Sequence, residues 1–286
     1  MSAPTFDAAY QGVPGAFGEE AARALVGDDA TLLACPRFAE VFAAVAARRA
    51  RVGVVPIENT LVGSVHESYD LLGKHDLRIV GETVLRIAHA LIAPPGVELA
   101  AVRRVYSHPV ALGQCEELFR RRPELEPVAA FNTAGAVQEV LASGARDAAA
   151  IAARRAAAVY GGVVLLDGVE DHPQNFTRFI LLGRDDARAD LGAGPYKTAL
   201  VFGLPHRPGA LAAVLAAFAA RAIDLSKIES RPIAGKPFEY AFYVDVRGDA
   251  DALPLAEALV AARALTTSLR VLGTWRSLPA EALAGA

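Results

Sequence analysis

The feature that most constrains the fold is a change of pattern along the chain at residues 183–196. Before it, short apolar runs such as 52–56 and 102–106 alternate with alanine-rich helical patterns, which is typical of an α/β sheet covered on both faces. After it, residues 197–275 show the order strand, helix, strand, strand, helix, strand, which predicts a ferredoxin-like βαββαβ domain. The segment between them is charged and then punctuated by Gly and Pro, as linkers are.

The pattern therefore predicts two structural units joined by a linker. We place the larger α/β unit at residues 1–184, the linker at 185–195, the βαββαβ unit at 196–276 and a C-terminal tail at 277–286. A chain of 286 residues is long for one compact domain, which agrees with this division.

Composition excludes several classes of protein. The formal net charge is −3 and the basic residues form no stripe, so nucleic acid is not expected as a partner. No uncharged apolar run reaches the length of about 18 residues that a membrane span needs. The first residues lack the features of a signal peptide, and only Cys35 and Cys115 are present. We therefore expect a cytoplasmic, reducing setting, with no membrane partner, no disulfide framework and no metal site.

Several predicted strands run directly into helix starts rich in small polar residues. One strand leads into Ser107-His108-Pro109, another into Asn132-Thr133, and the loop Gly12–Gly15 leads into a helix near Gly18. Helix N-termini attract anions, and ligands of open α/β sheets bind at the carboxyl ends of strands. The pattern predicts a cleft that suits a small dicarboxylate, although each start taken alone is also explained by helix capping.

Two further segments place polar groups beside buried strands. Glu58 and Asn59 follow the strand 52–56, and Ser64 lies in the turn after them. Glu58 belongs either to a site or to a solvated turn. Thr177 and Arg178 precede the strand 179–182, where Arg178 would either clamp a carboxylate or pair with Asp171.

Two other residues have reactive side chains but also a structural explanation. His108 has the chemistry of an acid or base, yet it lies at a helix start where a structural role is expected. Cys115 is expected to be a core residue. The sequence contains neither a Gly-x-Gly-x-x-Gly motif nor a Walker loop, so neither a dinucleotide nor ATP is expected.

Together these segments resemble one known family, the prephenate dehydratases, with the similar plant arogenate dehydratases. The blocks occur in family order over residues 8–275: Ala9–Phe17, Pro56–Val65, Tyr106–Cys115, Asn132–Gly135, Asn175–Phe179, Pro208–Leu211 and Glu229–Pro232. The last two resemble the phenylalanine-binding motifs of the ACT domain that is attached to these enzymes.

The resemblance implies a two-lobed, periplasmic-binding-protein-like catalytic region, with lobes at about 1–82 plus 163–184 and at 83–162. It implies no cofactor. Carried over by position, the catalytic residues are Thr177, Glu58, Asn59 and Gln114, and the substrate-binding residues are Ser64, Ser107, Thr133, Arg178 and Phe179. The allosteric residues are Pro208, Gly209, Ala210, Leu211, Glu229, Ser230, Arg231 and Pro232.

Three positions depart from the family pattern. Val110 replaces the glutamine common after Ser-His-Pro, and Gly18 stands where Ser or Thr is usual. These two changes would alter polar contacts in the cleft. His206 replaces an asparagine typical of the ACT motif, which bears on the strength of phenylalanine binding.

The implied reaction is the decarboxylating dehydration of prephenate to phenylpyruvate, inhibited by phenylalanine. We expect Arg178 and the helix starts at Ser107 and Thr133 to hold carboxylates, and Thr177 to donate to the leaving hydroxyl. Glu58 with Asn59 would orient this network or act as the acid. This hypothesis requires Glu58, Gln114 and Thr177 to share one cavity. The ACT domain has an open sheet face and an edge strand, both of which favour pairing with a second copy, in a homodimer or homotetramer.

Three alternatives remain open at this point. The same residues fit arogenate as substrate, because the two substrates differ only in one amino or keto group. A non-catalytic amino-acid or solute-binding protein would have the same two lobes, although it would not need Thr177-Arg178 and Glu58-Asn59 together. A regulatory subunit is disfavoured by the nearly complete catalytic blocks.

Overall fold

The computed structural model describes residues 5–184, 194–233 and 235–277, and it contains three β-sheets. Most of the predicted linker and tail lies outside these residues. The first two sheets form the two lobes of the larger unit, and the third belongs to the C-terminal domain. The predicted α/β class and both parts of the architecture are confirmed. No helix in the described ranges is long and apolar enough to span a bilayer.

The larger unit alternates strands with helices, as its sequence predicts. In chain order the elements are β1 (Phe6–Gln11), α1 (Phe17–Val26), β2 (Leu32–Cys35), α2 (Phe38–Ala46), β3 (Ala50–Asn59), β4 (Gly63–Ser64), α3 (His66–Lys74), β5 (Arg78–Arg86), β6 (His89–Ala93), β7 (Arg104–Ser107), α4 (Pro109–Gly113), α5 (Glu116–Arg121), β8 (Glu126–Ala129), α6 (Thr133–Ser143), β9 (Ala148–Ala153), α7 (Arg154–Tyr160), β10 (Val163–Asp167) and β11 (Phe176–Gly183).

The chain crosses between the lobes twice. The first sheet has the order β2-β1-β3-β11-β5, and β4 pairs with β3; the second has the order β10-β6-β9-β7-β8. The crossings follow β5 and precede β11, whereas the sequence pattern put them near residues 82 and 163. The difference arises because β5 pairs with β11 as far as Arg86, while β10 pairs with β6 from Val163 onward.

The C-terminal domain has the predicted βαββαβ order. Its elements are β12 (Tyr196–Gly203), α8 (Ala210–Ala219), β13 (Leu225–Pro232), β14 (Tyr240–Arg247), α9 (Leu255–Arg263) and β15 (Ser268–Arg276). The strands form one antiparallel sheet of order β13-β14-β12-β15. Phe202, Val214 and Leu259 bury one face of this sheet against the two helices.

The other face of that sheet packs against the first lobe of the same chain. Ala199, Tyr243, Leu272 and Trp275 belong to one buried cluster with first-lobe residues such as Ile180. An open apolar sheet face needs a partner, and a second copy was the expected partner. The first lobe supplies that partner, so the predicted use of this face is wrong.

Gly273 of β15 lies directly against the backbone of β5 in the first lobe. A Cβ at Gly273 would lie 1.9 Å from the carbonyl oxygen of Ile79 in β5, a contact that only a backbone shift could relieve. We expect Gly273→Ala to lower the free energy of unfolding by about 2–4 kcal/mol, measured by urea unfolding. Gly113→Ala is the control, because a Cβ there meets nothing within 4 Å. Equal stability of the two variants would contradict the proposed tight contact.

Candidate active site

A cleft of about 770 Å³ opens between the two lobes. The first lobe contributes the ends of β1, β3 and β11, and the second contributes the starts of α4 and α6. The loop 12–15 of the first lobe contacts the second lobe, where the Tyr160 hydroxyl donates a hydrogen bond to the Pro14 carbonyl at 2.8 Å. This contact holds the start of α1 at the cleft, where Gly18 lies in the wall.

Thr177 and Asn59 are hydrogen-bonded neighbours in the cleft wall. The Asn59 side chain is fixed by its Oδ1, which accepts from the amides of Leu61 and Val62 at 2.9 Å each. Its Nδ2 therefore points at Thr177 and donates to Oγ1 at 2.9 Å. Because the Thr177 oxygen accepts this bond, the hydroxyl proton is left to donate elsewhere, and the neighbouring space is the cleft.

A chain of side-chain amides extends from Asn59 to the second lobe. Asn59 donates to Asn175 Oδ1 at 2.8 Å, and Asn175 donates to Gln114 Oε1 at 3.0 Å. The same Gln114 oxygen lies 3.0 Å from His89 Nε2, which must be the donor because the Gln114 oxygen can only accept. The chain holds Gln114 and Thr177 in a fixed relation across the crossing between the lobes.

A β-bulge decides which side chains of β3 face the cleft. Asn59 is paired with Thr177, and Pro56 with Phe179, so Ile57 is an extra residue between them. Residues paired across strands share a face, and neighbours along a strand alternate. Pro56, Asn59, Thr177 and Phe179 therefore line the cleft.

Glu58 and Arg178 lie on the opposite face, against the C-terminal domain. The predicted placement of both in the cleft is wrong, because each alternates with a cleft residue along its strand. Glu58 accepts from Lys227 of β13 at 2.9 Å. Of the three residues expected to share one cavity, Gln114 and Thr177 do so and Glu58 does not.

Arg178 is enclosed by acids instead of facing a substrate. Its Nε donates to Glu82 at 2.7 Å and its Nη2 to Asp245 of β14 at 2.5 Å, so the predicted pairing with Asp171 is also wrong. Burial alone would lower the pKa of Arg178, but Asp245 and Glu82 outweigh it and raise that pKa. Burial would likewise raise the pKa of Glu82, but Arg178 and Lys197 lower it.

The remaining predicted residues divide between the cleft and the framework. Ser64, Gln114, Thr133 and Phe179 line the cleft. Ser107 does not, because its buried hydroxyl donates to the Ile151 carbonyl at 2.6 Å and ties β7 to β9. Its predicted role in substrate binding is therefore wrong. His108 lies in the cleft wall, and its Nδ1 accepts from the Val110 amide at 3.2 Å.

The helical sequence pattern at 109–122 forms two short helices, α4 and α5, with a break at Gln114. The carboxylate of Asp171 accepts from the amides of Glu116 and Glu117 at 2.9 Å each and so caps a new helix, α5. The break places Gln114 between two helices, with its side chain in the amide chain. Cys115, which follows it, is buried in the core, as expected.

Sequence reasoning assigned no site role to several cleft-region residues, among them Arg37, His89, Phe131 and Asn175. Arg37, His89 and Phe131 line the cleft, and Asn175 completes the amide chain. Asn175 belongs to the block Asn175–Phe179, but the sequence suggested no role for its side chain. His89 is the first residue of β6, whose other residues are all apolar, and a polar side chain in such a strand is a usable signal.

The proposed effector motifs lie on separate elements within one chain. Pro208–Leu211 forms the turn into α8, where Gly209 has φ +79°. Residues 229–232 end β13, which faces the first lobe. Arg231 makes a bidentate pair with Asp70 of α3, at 3.0 Å for each contact. Glu229 contacts Ser64 and His66 of the first lobe.

Burial of His89 predicts a pH-dependent stability. Burial lowers the pKa of His89, although the bond to Gln114 and the charge of Glu170 oppose this. The unfolded chain therefore binds a proton at higher pH than the native protein does, and stability falls as pH drops below about 6.5. Urea unfolding at several pH values should show a smaller loss for His89→Gln than for wild type. If His89→Gln and the wild type lose the same stability at low pH, His89 is not the cause of the pH dependence. His206→Gln, which changes an exposed histidine, is the control.

Comparisons with known proteins agree with the fold and the cleft. The family model described as prephenate dehydratase matches residues 8–187, and the ACT domain model matches residues 198–264. "Arogenate dehydratase 5, chloroplastic" of Arabidopsis thaliana is 40% identical over 97% of this chain and 70% of its own length. Its name places that relative in the chloroplast, so a cytoplasmic setting for this chain stays a prediction.

Two solved structures cover nearly the whole chain. The prephenate dehydratase of Arthrobacter aurescens, in complex with L-Phe, is 34% identical, with a TM-score of 0.86 over 94% of this chain and 90% of its own. A structure named GqqA, a novel type of quorum-quenching acylase, is also 34% identical, with a TM-score of 0.87 over 95% of this chain and 98% of its own. By its family match, its relatives and its two-lobed cleft, the chain belongs to the prephenate dehydratase family and carries a C-terminal ACT domain.

Proposed function

We propose that the protein converts prephenate to phenylpyruvate and that L-phenylalanine regulates it through the ACT domain. The observation that carries the proposal is the Asn59–Thr177 pair in the cleft between the lobes. A hydroxyl whose oxygen already accepts a bond from a fixed amide is held as a donor. The reaction needs such a donor where hydroxide leaves the ring.

The reaction makes the ring of the substrate aromatic and is downhill. The bond between the ring and its carboxylate breaks, carbon dioxide leaves, and the electron pair moves through the ring. The carbon–oxygen bond on the far side of the ring then breaks, and hydroxide takes up a proton to leave as water. The enzyme must hold a dianion and stabilise charge on the leaving oxygen.

Thr177 is proposed to donate its hydrogen bond to the leaving oxygen. The amide chain from Asn59 to His89 keeps this donor in place and costs no reorganisation during the reaction. Gln114 anchors that chain from the second lobe. Glu58, on the far face, is not proposed as the acid.

With Arg178 on the other face, the substrate carboxylates need other partners. The N-terminus of α6 lies in the cleft, where Asn132 caps only the Gly135 amide and the amides of Thr133 and Ala134 precede it. We assign one carboxylate to this helix start and the Thr133 hydroxyl. His108 lies in the same cleft, and since its Nδ1 is an acceptor, its Nε2 carries the proton and can donate.

Arogenate is the alternative substrate for the same cleft. The relative described above is named an arogenate dehydratase, and this name supports arogenate as the substrate. Amino and keto groups differ by a few atoms, and the cleft residues described above would accept either ligand.

An acyl hydrolase that uses Thr177 or Cys115 as its nucleophile does not fit the cleft, although one similar structure is named as an acylase. Such an enzyme needs a nucleophile with a base within hydrogen-bond reach. The partner of Thr177 is an amide N–H donor, which cannot take the hydroxyl proton. Cys115 is buried, and burial raises the pKa of its thiol to about 12.

A direct assay tests the substrate and the regulation together. Purified full-length protein is incubated with prephenate or arogenate, and phenylpyruvate or phenylalanine is measured, with and without added L-phenylalanine. We expect phenylpyruvate from prephenate and a lower rate with phenylalanine. Formation of phenylalanine from arogenate alone would move the assignment to arogenate. Turnover of neither substrate would contradict the proposed function, and a rate that ignores millimolar phenylalanine would contradict the regulation.

A further inference from the structure

The Ser64 hydroxyl lies where the cleft meets the ACT domain. Ser64 is in the cleft wall, but its Oγ lies 2.5 Å from the carboxylate of Glu229 and 3.2 Å from Nζ of Lys227, both on β13. A carboxylate can only accept and an ammonium can only donate. The single proton of Ser64 is therefore given to Glu229, while its oxygen accepts from Lys227.

This arrangement is strong and partly shielded from water. The side chains of Lys227 and Glu229 are 14% and 19% exposed. Lys227 also binds Glu58 at 2.9 Å, which fixes the ammonium beside Ser64. Bonds from a hydroxyl to an ionised carboxylate are stronger than bonds between neutral groups. In this state Ser64 has no proton to give to an anion in the cleft.

We propose that Glu229, a residue of the ACT domain, sets the substrate affinity of the cleft by competing with a substrate carboxylate for the Ser64 proton. The proposal rests on the proposed function, since the competitor is a carboxylate of the bound substrate. When substrate binds, the Ser64 hydroxyl turns from one carboxylate to the other. Glu229 is thus a positioning residue that acts through Ser64.

The proposal differs from two simpler roles of Glu229. If Glu229 only joined the domains, its loss would lower stability and leave KM unchanged. If its charge only repelled the dianion, its neutralisation would lower KM whether or not Ser64 is present. Competition for the proton requires Ser64, and a double-mutant cycle separates these cases.

The test measures kcat and KM for prephenate in the full-length wild type, Glu229→Gln, Ser64→Ala and the double variant. A neutral amide is a weaker acceptor than a carboxylate, so we expect KM in Glu229→Gln to fall about three- to tenfold, with kcat within about twofold. Ser64→Ala is the reference background for the cycle: relative to the KM of Ser64→Ala, the added change Glu229→Gln should have no effect, because the proton for which Glu229 competes is absent. Glu239→Gln, at an exposed position of the same domain, is the matched control.

Two outcomes overturn the proposal: an unchanged or higher KM in Glu229→Gln, or an equal fall of KM in the Ser64→Ala background. Glu229→Asp provides a second test in case Glu229→Gln does not fold. It keeps the charge but withdraws the acceptor from Ser64, and it should lower KM as well; an unchanged KM there counts against competition. A wild type that does not turn over prephenate would instead contradict the proposed function.

Discussion

Replacing Thr177 with alanine is expected to lower kcat by about 10²–10⁴-fold, because the reaction then lacks the fixed donor for the leaving oxygen. Thr177→Ser should keep much of the wild-type kcat, since serine has the same hydroxyl beside the Asn59 amide. KM should change little in either variant, because the bond is strongest to the charge that develops in the transition state. Steady-state kinetics with prephenate measure all of these effects.

The control is Thr198→Ala, which removes a buried hydroxyl of the ACT domain that is bonded to Thr274 and to the Gly248 carbonyl. This variant should lose stability without losing kcat. Equal collapse of kcat in Thr177→Ala and Thr177→Ser would show that the methyl group or packing matters, and it would rule out the hydroxyl as donor.

The sequence pattern predicted much of the fold, but it missed several strands, among them β1, β2, β8 and β10. The apolar run at 148–151 predicts the strand β9, which extends over Ala148–Ala153, and the helical pattern at about 134–143 predicts the helix α6, which extends over Thr133–Ser143. β8 was missed because it is an edge strand of four largely exposed residues, so it carries no apolar run. β10 was also missed, although residues 163–166 form an apolar run of four.

The sequence predicted which segments form the candidate site, but not which of their side chains face the cleft. Thr177 and Arg178 are consecutive in one strand, so only one of them can face the cleft. The sequence does not tell which face that is, because both faces of the sheet are buried. On β3 the bulge at Ile57 makes Pro56 and Asn59 share a face. The local sequence does not predict this bulge.

The contacts between the domains were beyond sequence reasoning for another reason. Lys227, Glu229 and Arg231 alternate along β13 and read as an ordinary amphipathic strand, whose partner depends on tertiary docking. Only the structure shows that they meet Glu58, Ser64 and Asp70. The motif that resembles an effector site is therefore also a contact with the catalytic lobe.

Arg178→Met is expected to lower the free energy of unfolding by about 3–5 kcal/mol, because it leaves Glu82 and Asp245 as buried carboxylates without their shared cation. Lys197 stays paired with Glu82, so Asp245 should bear most of the cost. Arg178→Lys should recover only part of the loss, since an ammonium cannot hold two carboxylates in the two directions that the guanidinium serves. Urea unfolding of the full-length protein measures these differences.

Kinetics then separate the two roles that have been considered for this residue. A clamp for a substrate carboxylate, as the sequence suggested, would give a normal stability and a KM raised by about 10²-fold, because a charge-assisted bidentate bond to the substrate would be lost. If Arg178 instead only joins the two domains, the variant should have a low stability and a much smaller change in KM. Arg247→Met, which removes an exposed ion pair with Asp224, should cost less than about 1 kcal/mol and shows the effect of losing a surface arginine. Since Arg178 joins the strand that carries Thr177 to the ACT strand β14, its loss should also weaken the attachment of the ACT domain to the strand that bears the proposed hydroxyl donor.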